Sequence, residues 1–299
     1  MTANTPLERF KQRHLRACQL KQLTILEAIH DICQRHTIPY WLDGGTLLGA
    51  VRHGGFIPWD DDIDIAMHKA DLQRFVEVAQ KELPKGLIVQ SPLIDKHLKE
   101  PITKVRDLNS FFVEPGDDFS HNYEKGLFVD IFPFIAYPTL SRKLVKKLTL
   151  GISRSYSILH KAHHYSLRSF AEFFWFGAKY AVCRSIWAVL CTLNRNRDTY
   201  ISNILHNNGY GIMHRQDSIF PLTEITFEGK RFMAPCNPDA YLQDLYRNYM
   251  DIPPVEKRKI HAIFVLETLE EEGEEGGGKS IAVTQNRPIS IKNEIMYGC

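Results

Sequence analysis

Three aspartates spaced two residues apart have the types and spacing needed to bind a divalent cation. Residues 57–67 read IPWDDDIDIAM, so that Asp62 and Asp64 alternate with isoleucines. Alternate side chains of a β-strand project from one face, with Cα atoms about 6.5 Å apart. Such closely spaced carboxylates repel one another unless they are protonated or neutralised by a cation. Because hard oxygen ligands select Mg²⁺ or Mn²⁺, we predict a metal site here, with Asp60 on the same face.

An EF-hand loop is a rival interpretation of this acidic run. Asp60, Asp62 and Asp64 match the first, third and fifth positions of such a loop. The sixth position requires Gly and the twelfth is Glu, but this chain has Ile65 and Asp71 there. The EF-hand is therefore rejected.

Asp130 is a candidate third carboxylate. It is the only charged residue in the apolar run GLFVDIFPF, residues 126–134, which predicts a strand. A lone buried acid is costly without a partner, so it either hydrogen-bonds a backbone turn or joins Asp62 and Asp64 at the metal. We favour the metal, because three carboxylates around two divalent ions suit in-line attack on a phosphoryl group.

A glycine pair precedes the acidic run. Gly44 and Gly45 come before Thr46 and a predicted helix over residues 46–52. Glycines at the start of a helix let a phosphate approach the backbone N–H groups. Glycine pairs also make ordinary turns, so this signal gains weight only from the neighbouring carboxylates.

Two cations are candidates for neutralising phosphate charge. Lys104 lies in the predicted strand 102–105, and Arg52 lies at the end of the glycine-preceded helix. Either residue could equally be a surface charge. P-loop, H-E-x-x-H and G-x-S-x-G motifs do not occur in the sequence.

The elements that must position these residues alternate between helix and strand, which predicts an α/β or α+β catalytic domain, and we take α+β as the fold class. Apolar spacing predicts a long helix over residues 7–36 and another over residues 71–82. The alternation of apolar and acidic residues predicts a strand over residues 59–67. Further strands are predicted over residues 38–42, 87–90, 102–105, 110–114 and 126–134.

The middle of the chain has a different character. Residues 131–171 contain no Asp or Glu, and residues 170–193 are apolar apart from Glu172, Lys179 and Arg184. We predict a helical, basic and aromatic insertion over residues 140–205. Residues 142–193 are either an ordinary solvated basic face or a peripheral contact with anionic lipid. A non-enzymatic, cation-stabilised protein that binds a membrane surface is therefore a second hypothesis.

Composition limits the remaining possibilities. The chain has 299 residues, with 37 Lys and Arg, 35 Asp and Glu and six Cys. This composition excludes disorder of the whole chain and a disulfide scaffold, and it does not predict a nucleic-acid partner. The N-terminus has no apolar segment like that of a secretory signal, so we expect a cytoplasmic protein, located at the inner face of the membrane. We predict one catalytic domain over residues 1–265 and a low-complexity, disordered tail over residues 266–299.

Residues 41–67 closely resemble the signature of the LicD family, the phosphocholine transferases related to the fukutin-type sugar phosphotransferases. The resemblance continues through residues 104–107, 126–133 and 246–261. It implies a nucleotidyltransferase-like fold, a small mixed β-sheet flanked by helices.

The resemblance also implies an activity and its residues. Asp62, Asp64 and Asp130 would be the catalytic metal ligands for Mg²⁺ or Mn²⁺, Asp60 a supporting acid, and Gly44 and Gly45 the phosphate-binding pair. The donor would be CDP-linked, most simply CDP-choline, and the acceptor a hydroxyl of a glycan such as lipopolysaccharide or teichoic acid, with release of CMP. The enzymatic alternative is a metal-dependent glycosyltransferase that holds a nucleotide-sugar through its D-x-D motif.

Overall fold

A computed structural model of the chain describes residues 6–95, 98, 101–115, 117, 123–160, 166–194, 199–258, 262 and 264–266. The predicted tail, residues 266–299, lies outside these residues except for Leu266. The limits of the catalytic domain therefore stay a prediction.

The described residues form helices and strands in alternation. The helices are α1 (Pro6–His36), α2 (Gly44–His53), α3 (Lys69–Glu82), α4 (Arg142–Leu159), α5 (Leu167–Leu193), α6 (Gln216–Ile219) and α7 (Pro238–Tyr246). The strands are β1 (Trp41–Leu42), β2 (Asp64–His68), β3 (Leu87–Gln90), β4 (Thr103–Asp107), β5 (Phe111–Val113), β6 (Phe128–Tyr137), β7 (Tyr200–Asn203), β8 (His214–Arg215), β9 (Thr223–Phe227), β10 (Lys230–Ala234) and β11 (Phe264–Leu266).

A mixed sheet of seven strands carries the acidic residues. Its order is β1-β2-β6-β4-β3, with β7 pairing β6 and β8. The central strand β6 runs parallel to β2 and antiparallel to β4 and β7. Its sequence FVDIFPFIAY is almost continuously apolar, as expected of a strand that is covered on both faces. The mixed sheet flanked by helices, and thus the α+β fold class, is confirmed.

Helix α1 covers this sheet. It confirms the helix predicted over residues 7–36, and its apolar positions Leu26 and Ile29 are fully buried. The main core joins α1 and α3 to β2 and β6, with Ile63 and Ile65 at its centre. The acidic run therefore lies directly beside the main core.

Helices α4 and α5 pack on each other as a hairpin, with a smaller core of their own around Tyr137, Ile152 and Trp187. The predicted insertion was too long at its end: residues 200–203 form β7 and pair with β6, because Ile201 and Ser202 are buried in the sheet. Among the residues that the structure describes, no helix combines the length and apolarity that crossing a bilayer requires.

Candidate active site

Asp64 and Asp130 are direct neighbours across two parallel strands. The register of β2 and β6 pairs Asp64 with Asp130, and the Asp130 amide donates to the Ile63 carbonyl at 2.8 Å. Side chains in register on adjacent parallel strands share a face, and such strands lie about 4.8 Å apart. Two carboxylates that are 66 positions apart in the sequence thus lie side by side on one face of the sheet.

The aspartates before β2 lie in an irregular segment. A strand from Trp59 was wrong, since regular pairing begins at Asp64. Buried glutamines of α1 hold the preceding carbonyls: Gln19 Nε2 donates to Asp60 O at 2.8 Å, and Gln22 Nε2 to Asp61 O at 2.9 Å. These side-chain hydrogen bonds take the place of strand pairing at the carbonyls of Asp60 and Asp61.

One of the neighbouring aspartates has a structural role. Carboxylate oxygens of Asp60, Asp61 and Asp62 lie within 4.8 Å of one another. Asp61, however, is buried, and its Oδ2 accepts a hydrogen bond from the Ala262 amide at 2.6 Å. Asp60 and Asp62 line an open cavity with Asp64 and Asp130, whereas Asp61 does not. Asp61 therefore anchors the C-terminal segment.

The two glycines of α2 make room for carboxylates. A Cβ at Gly44 would lie 2.5 Å from Asp64 Oδ2, and a Cβ at Gly45 would lie 2.5 Å from Asp60 Oδ2. Gly44 also has φ +52°, a conformation that strains other residues. The hydroxyl of Thr46 accepts from the Asp64 amide at 2.8 Å. The pair and Thr46 thus border and position the acids, while their predicted contact with phosphate remains a prediction.

Crowding and burial oppose ionisation of these acids. Burial, followed by the charges of Asp62 and Asp130, raises the pKa of Asp64 well above its ordinary value. Burial also raises the pKa of Asp130 to about 7, against the lowering effect of Lys104. Four acids around one cavity are electrostatically unfavourable unless positive charge compensates them.

Lys104 supplies part of that compensation from within the protein. Its buried Nζ lies 3.2 Å from Asp130 Oδ1 and 3.0 Å from Glu114 Oε2, above the ring of Phe128. It does not line the cavity. Lys104, which was predicted to neutralise phosphate charge, therefore pairs with Asp130 and holds its carboxylate in place.

The cavity beside the four acids measures about 570 Å³. The cavity is also lined by the last residue of α7, Tyr246, and by Asn248 and Tyr249 of the segment that follows this helix. Arg52 also lines the cavity and fixes this segment, because its Nη1 donates to the Tyr249 carbonyl at 2.7 Å. Sequence reasoning gave no role to these C-terminal residues; the only signal was the resemblance of residues 246–261.

The donor set fits a hard divalent cation. The four aspartates offer carboxylate oxygens from adjacent elements. Burial and mutual repulsion disfavour the state in which all four are ionised. Lys104 forms an ion pair with one of them, Asp130. A cation at Asp62, Asp64 and Asp130 would relieve this repulsion. Asp60 would support it from the same cavity.

Comparison with known proteins places the same region in a family. Residues 37–173 match the family described as LicD/FKTN/FKRP, nucleotidyltransferase domain. These residues include α2, β2 and all of β6, and with them every aspartate of the cavity except Asp251.

Three relatives agree with this match. The lipopolysaccharide cholinephosphotransferase LicD of Haemophilus influenzae is 29% identical over 280 residues, covering 85% of this chain and 97% of the relative. The ribitol 5-phosphate transferase FKRP of Homo sapiens is 34% identical over 73 residues, 24% of this chain and 15% of that protein. The uncharacterized protein RP689 of Rickettsia prowazekii is 47% identical over 58 residues, 19% of this chain and 21% of the relative.

Proposed function

Since this chain is a LicD-family protein and a phosphotransferase, with the family's domain at residues 37–173, we propose that it transfers phosphocholine from CDP-choline to a hydroxyl of a cell-surface glycan and releases CMP. The observation that carries the proposal is the register of Asp64 with Asp130 beside the Gly44–Gly45 turn. The acceptor class, a glycan such as lipopolysaccharide or teichoic acid, is supported by the name of the relative that spans most of the chain.

The large cavity is the proposed donor site. Its volume of about 570 Å³ lies within the range of ordinary small-molecule sites, roughly 300–1,000 Å³. Trp59, Tyr246 and Tyr249 give it aromatic walls on which a nucleotide base can stack, and Arg52 adds a cation. These features support a nucleotide-linked donor whose phosphates face the acids.

The proposed cofactor is Mg²⁺ or Mn²⁺, held by Asp62, Asp64 and Asp130. When bound, it would neutralise the charge of the donor phosphates and of the leaving CMP. The protein's own contribution is positional: the sheet sets Asp64 beside Asp130, Thr46 holds the Asp64 amide, and Lys104 holds Asp130.

The proposed reaction is a single displacement at phosphorus. The acceptor oxygen forms a bond to phosphorus as the bond to the CMP oxygen breaks, and phosphocholine ends on the glycan. The proton of the acceptor hydroxyl passes to Asp62 or Asp130, both of which line the cavity. No covalent enzyme intermediate is required.

The hairpin of α4 and α5 is the proposed contact with an anionic membrane surface, on the cytoplasmic side. Residues 142–193 contain nine Lys and Arg and one Glu, whereas the rest of the chain has 28 basic and 34 acidic residues. Large apolar side chains of α5 are 43–91% exposed, namely Leu167, Phe170, Phe173, Phe174, Trp175, Val182, Ile186, Val189 and Leu193. Apolar exposure beside positive charge suits an anionic bilayer, whereas a second copy of the hairpin would bring like charges together.

A CMP-release screen tests the proposed reaction. The protein is incubated with a glycan acceptor and each of several CDP-linked donors, with and without a chelator, and ³¹P NMR follows the product. We expect a new phosphodiester, with CDP-choline as the best donor and chelation abolishing release. Sugar transfer from a nucleotide-sugar without phosphodiester formation would overturn the proposal in favour of the glycosyltransferase alternative.

A further inference from the structure

A second, smaller cavity adjoins the first at Asp64. It measures about 170 Å³, and both cavities are lined by Asp64 and Phe132. Gly45 faces the larger cavity and Gly44 the smaller one. The two spaces therefore meet at the same carboxylate.

Three asparagine side chains line the smaller cavity, and two of them have an atom without a hydrogen-bond partner among the described residues. Asn208 is fully used: its amide donates to Ser202 and to the Ile212 carbonyl, and its Oδ1 accepts from the Ile212 amide. In contrast, Asn203 Oδ1 and Asn207 Nδ2 are buried without a hydrogen-bond partner among the described residues. A buried unsatisfied polar atom costs about 1–3 kcal/mol, so these two amides are poor choices for a purely structural wall.

The lining chemistry suits a sugar. An unpaired acceptor and an unpaired donor together match hydroxyl groups, which both donate and accept. Phe132 and Phe134 add apolar surface, and Tyr210, which is 80% exposed, also lines the cavity. The volume is too small for a nucleotide, for which the larger cavity has room.

In-line displacement decides which substrate occupies which cavity. The attacking and leaving oxygens lie on opposite sides of the phosphorus. With the reacting phosphate beside Asp64 and the donor nucleotide in the larger cavity, the acceptor oxygen must arrive from the other side. The smaller cavity is the adjoining space that also borders Asp64, and it therefore offers this approach.

We propose that this smaller cavity is the acceptor subsite, where Asn203 and Asn207 bind the hydroxyl groups of the glycan residue that receives the phosphate. The proposal rests on the proposed phosphotransfer for its orientation. The binding of a sugar at these amides is a separate claim and can be measured without turnover.

The test uses the full chain and a deacylated lipopolysaccharide oligosaccharide as probe. Isothermal titration without donor gives the oligosaccharide Kd, and CMP release gives the KM values for oligosaccharide and CDP-choline separately. Asn203→Ala and Asn207→Ala are compared with Asn109→Ala, a matched control whose exposed side chain lines neither cavity. Tyr210→Ala is a further variant that is expected to fold, because this side chain is mostly exposed.

We expect Asn203→Ala and Asn207→Ala each to raise the oligosaccharide Kd and KM about tenfold, the effect of one lost hydrogen bond. The KM for CDP-choline should stay within about twofold, and Tyr210→Ala should also weaken only the binding of the oligosaccharide. An unchanged Kd in both Asn variants, or a donor KM that rises equally, would overturn the acceptor subsite. Oligosaccharide binding that depends on both amides, without CMP release from any donor, would retain the sugar site and refute the phosphotransfer.

Discussion

The acidic sheet and the α4–α5 hairpin bury their residues to very different extents. Every residue of β2 is buried or half-buried, and Ile65, Ala66 and Met67 are fully enclosed. Helix α5 buries only Trp187 among its 27 residues, although its sequence is rich in apolar residues. Burial in the sheet holds groups that repel one another, whereas exposure in the hairpin leaves apolar surface unused by the fold.

This difference in burial indicates that the two regions have different functions. Buried neighbours fix Asp64 and Asp130 to the precision that chemistry at phosphorus requires. Exposed apolar patches of this extent on a helix indicate an interaction surface. The charge divides in the same way, with the acids of the cavity on or beside the sheet and the excess of basic residues on residues 142–193. Changes in the sheet should therefore affect turnover, and changes on the hairpin should affect binding.

The largest expected effect is that of Asp64→Asn. The substitution keeps the shape of the side chain but removes a charge from the cavity, so turnover should fall by at least about 10²–10³-fold. Because repulsion with Asp62 and Asp130 is relieved, the Tm should not decrease. CMP release and thermal unfolding measure the two effects.

Asp61→Ala is the matched control for that change. It leaves the Ala262 amide without its acceptor, at a cost of about 1–3 kcal/mol in stability. Turnover per folded molecule should stay within about fivefold. Equal losses of turnover in both variants would contradict the assignment of Asp64 to the reaction and of Asp61 to structure.

The next effect in size concerns the hairpin. The pair of changes Phe174→Glu and Val182→Glu places two charges on the exposed face of α5. Binding to vesicles of phosphatidylglycerol and phosphatidylcholine should fall at least about tenfold, because buried apolar contact and electrostatic attraction are both lost. Sedimentation with the vesicles measures it, and turnover on a soluble oligosaccharide should be unchanged.

Leu20→Glu on α1 is the control, since Leu20 is 45% exposed but lies outside the hairpin. It should leave vesicle binding intact. Equal binding by all variants, or equal binding to vesicles of phosphatidylcholine alone, would remove the proposed membrane contact. Loss of a dimer in the hairpin variant without any vesicle binding would identify a second copy as the occupant of this face.

The contrast also explains what the sequence could predict. Local patterns sufficed for α1, for α2 and for the strand that begins at Asp64, because periodicity and glycine reflect neighbouring residues. The register of Asp64 with Asp130 depends on pairing between distant segments, which no local pattern encodes. The sequence motif and the family resemblance therefore identified the aspartates, whereas their positions relative to one another became known only from the fold.

The remaining differences have the same physical origin. The strand predicted from Trp59 fails because Gln19 and Gln22, distant in sequence, take the carbonyls of Asp60 and Asp61. Lys104 lies opposite Asp130 because β4 pairs with β6, and the sequence of β4 alone does not reveal this contact. Long-range hydrogen bonds and ion pairs thus set the details of the candidate site.

A smaller effect is expected from the loss of a hydrogen bond that supports the N-terminal cap of α2. The Tyr241 hydroxyl donates to Asp43 Oδ1 at 2.7 Å, and Asp43 caps α2 through the Gly44 amide. Tyr241→Phe leaves the buried Asp43 with one donor fewer, which should cost about 1–3 kcal/mol. Chemical denaturation measures this loss, and turnover should fall less than in Asp64→Asn. An unchanged free energy of unfolding would show that the cap does not depend on Tyr241.

The smallest expected effect tests how the hairpin is attached. His206 stacks on Tyr156 of α4 and hydrogen-bonds Tyr180 of α5, and burial, followed by Arg184, His160 and Lys69, lowers its pKa to about 4. Because the unfolded chain binds its proton near pH 6.5, stability should be complete above that pH and decline as the pH falls towards 4. Solvent screening limits the contribution to about 1 kcal/mol, or about 2–4 °C in Tm. His206→Gln should reduce the Tm difference between pH 7 and pH 4.5 by that amount relative to the unsubstituted chain. An unchanged Tm difference would mean that His206 does not couple the hairpin to pH.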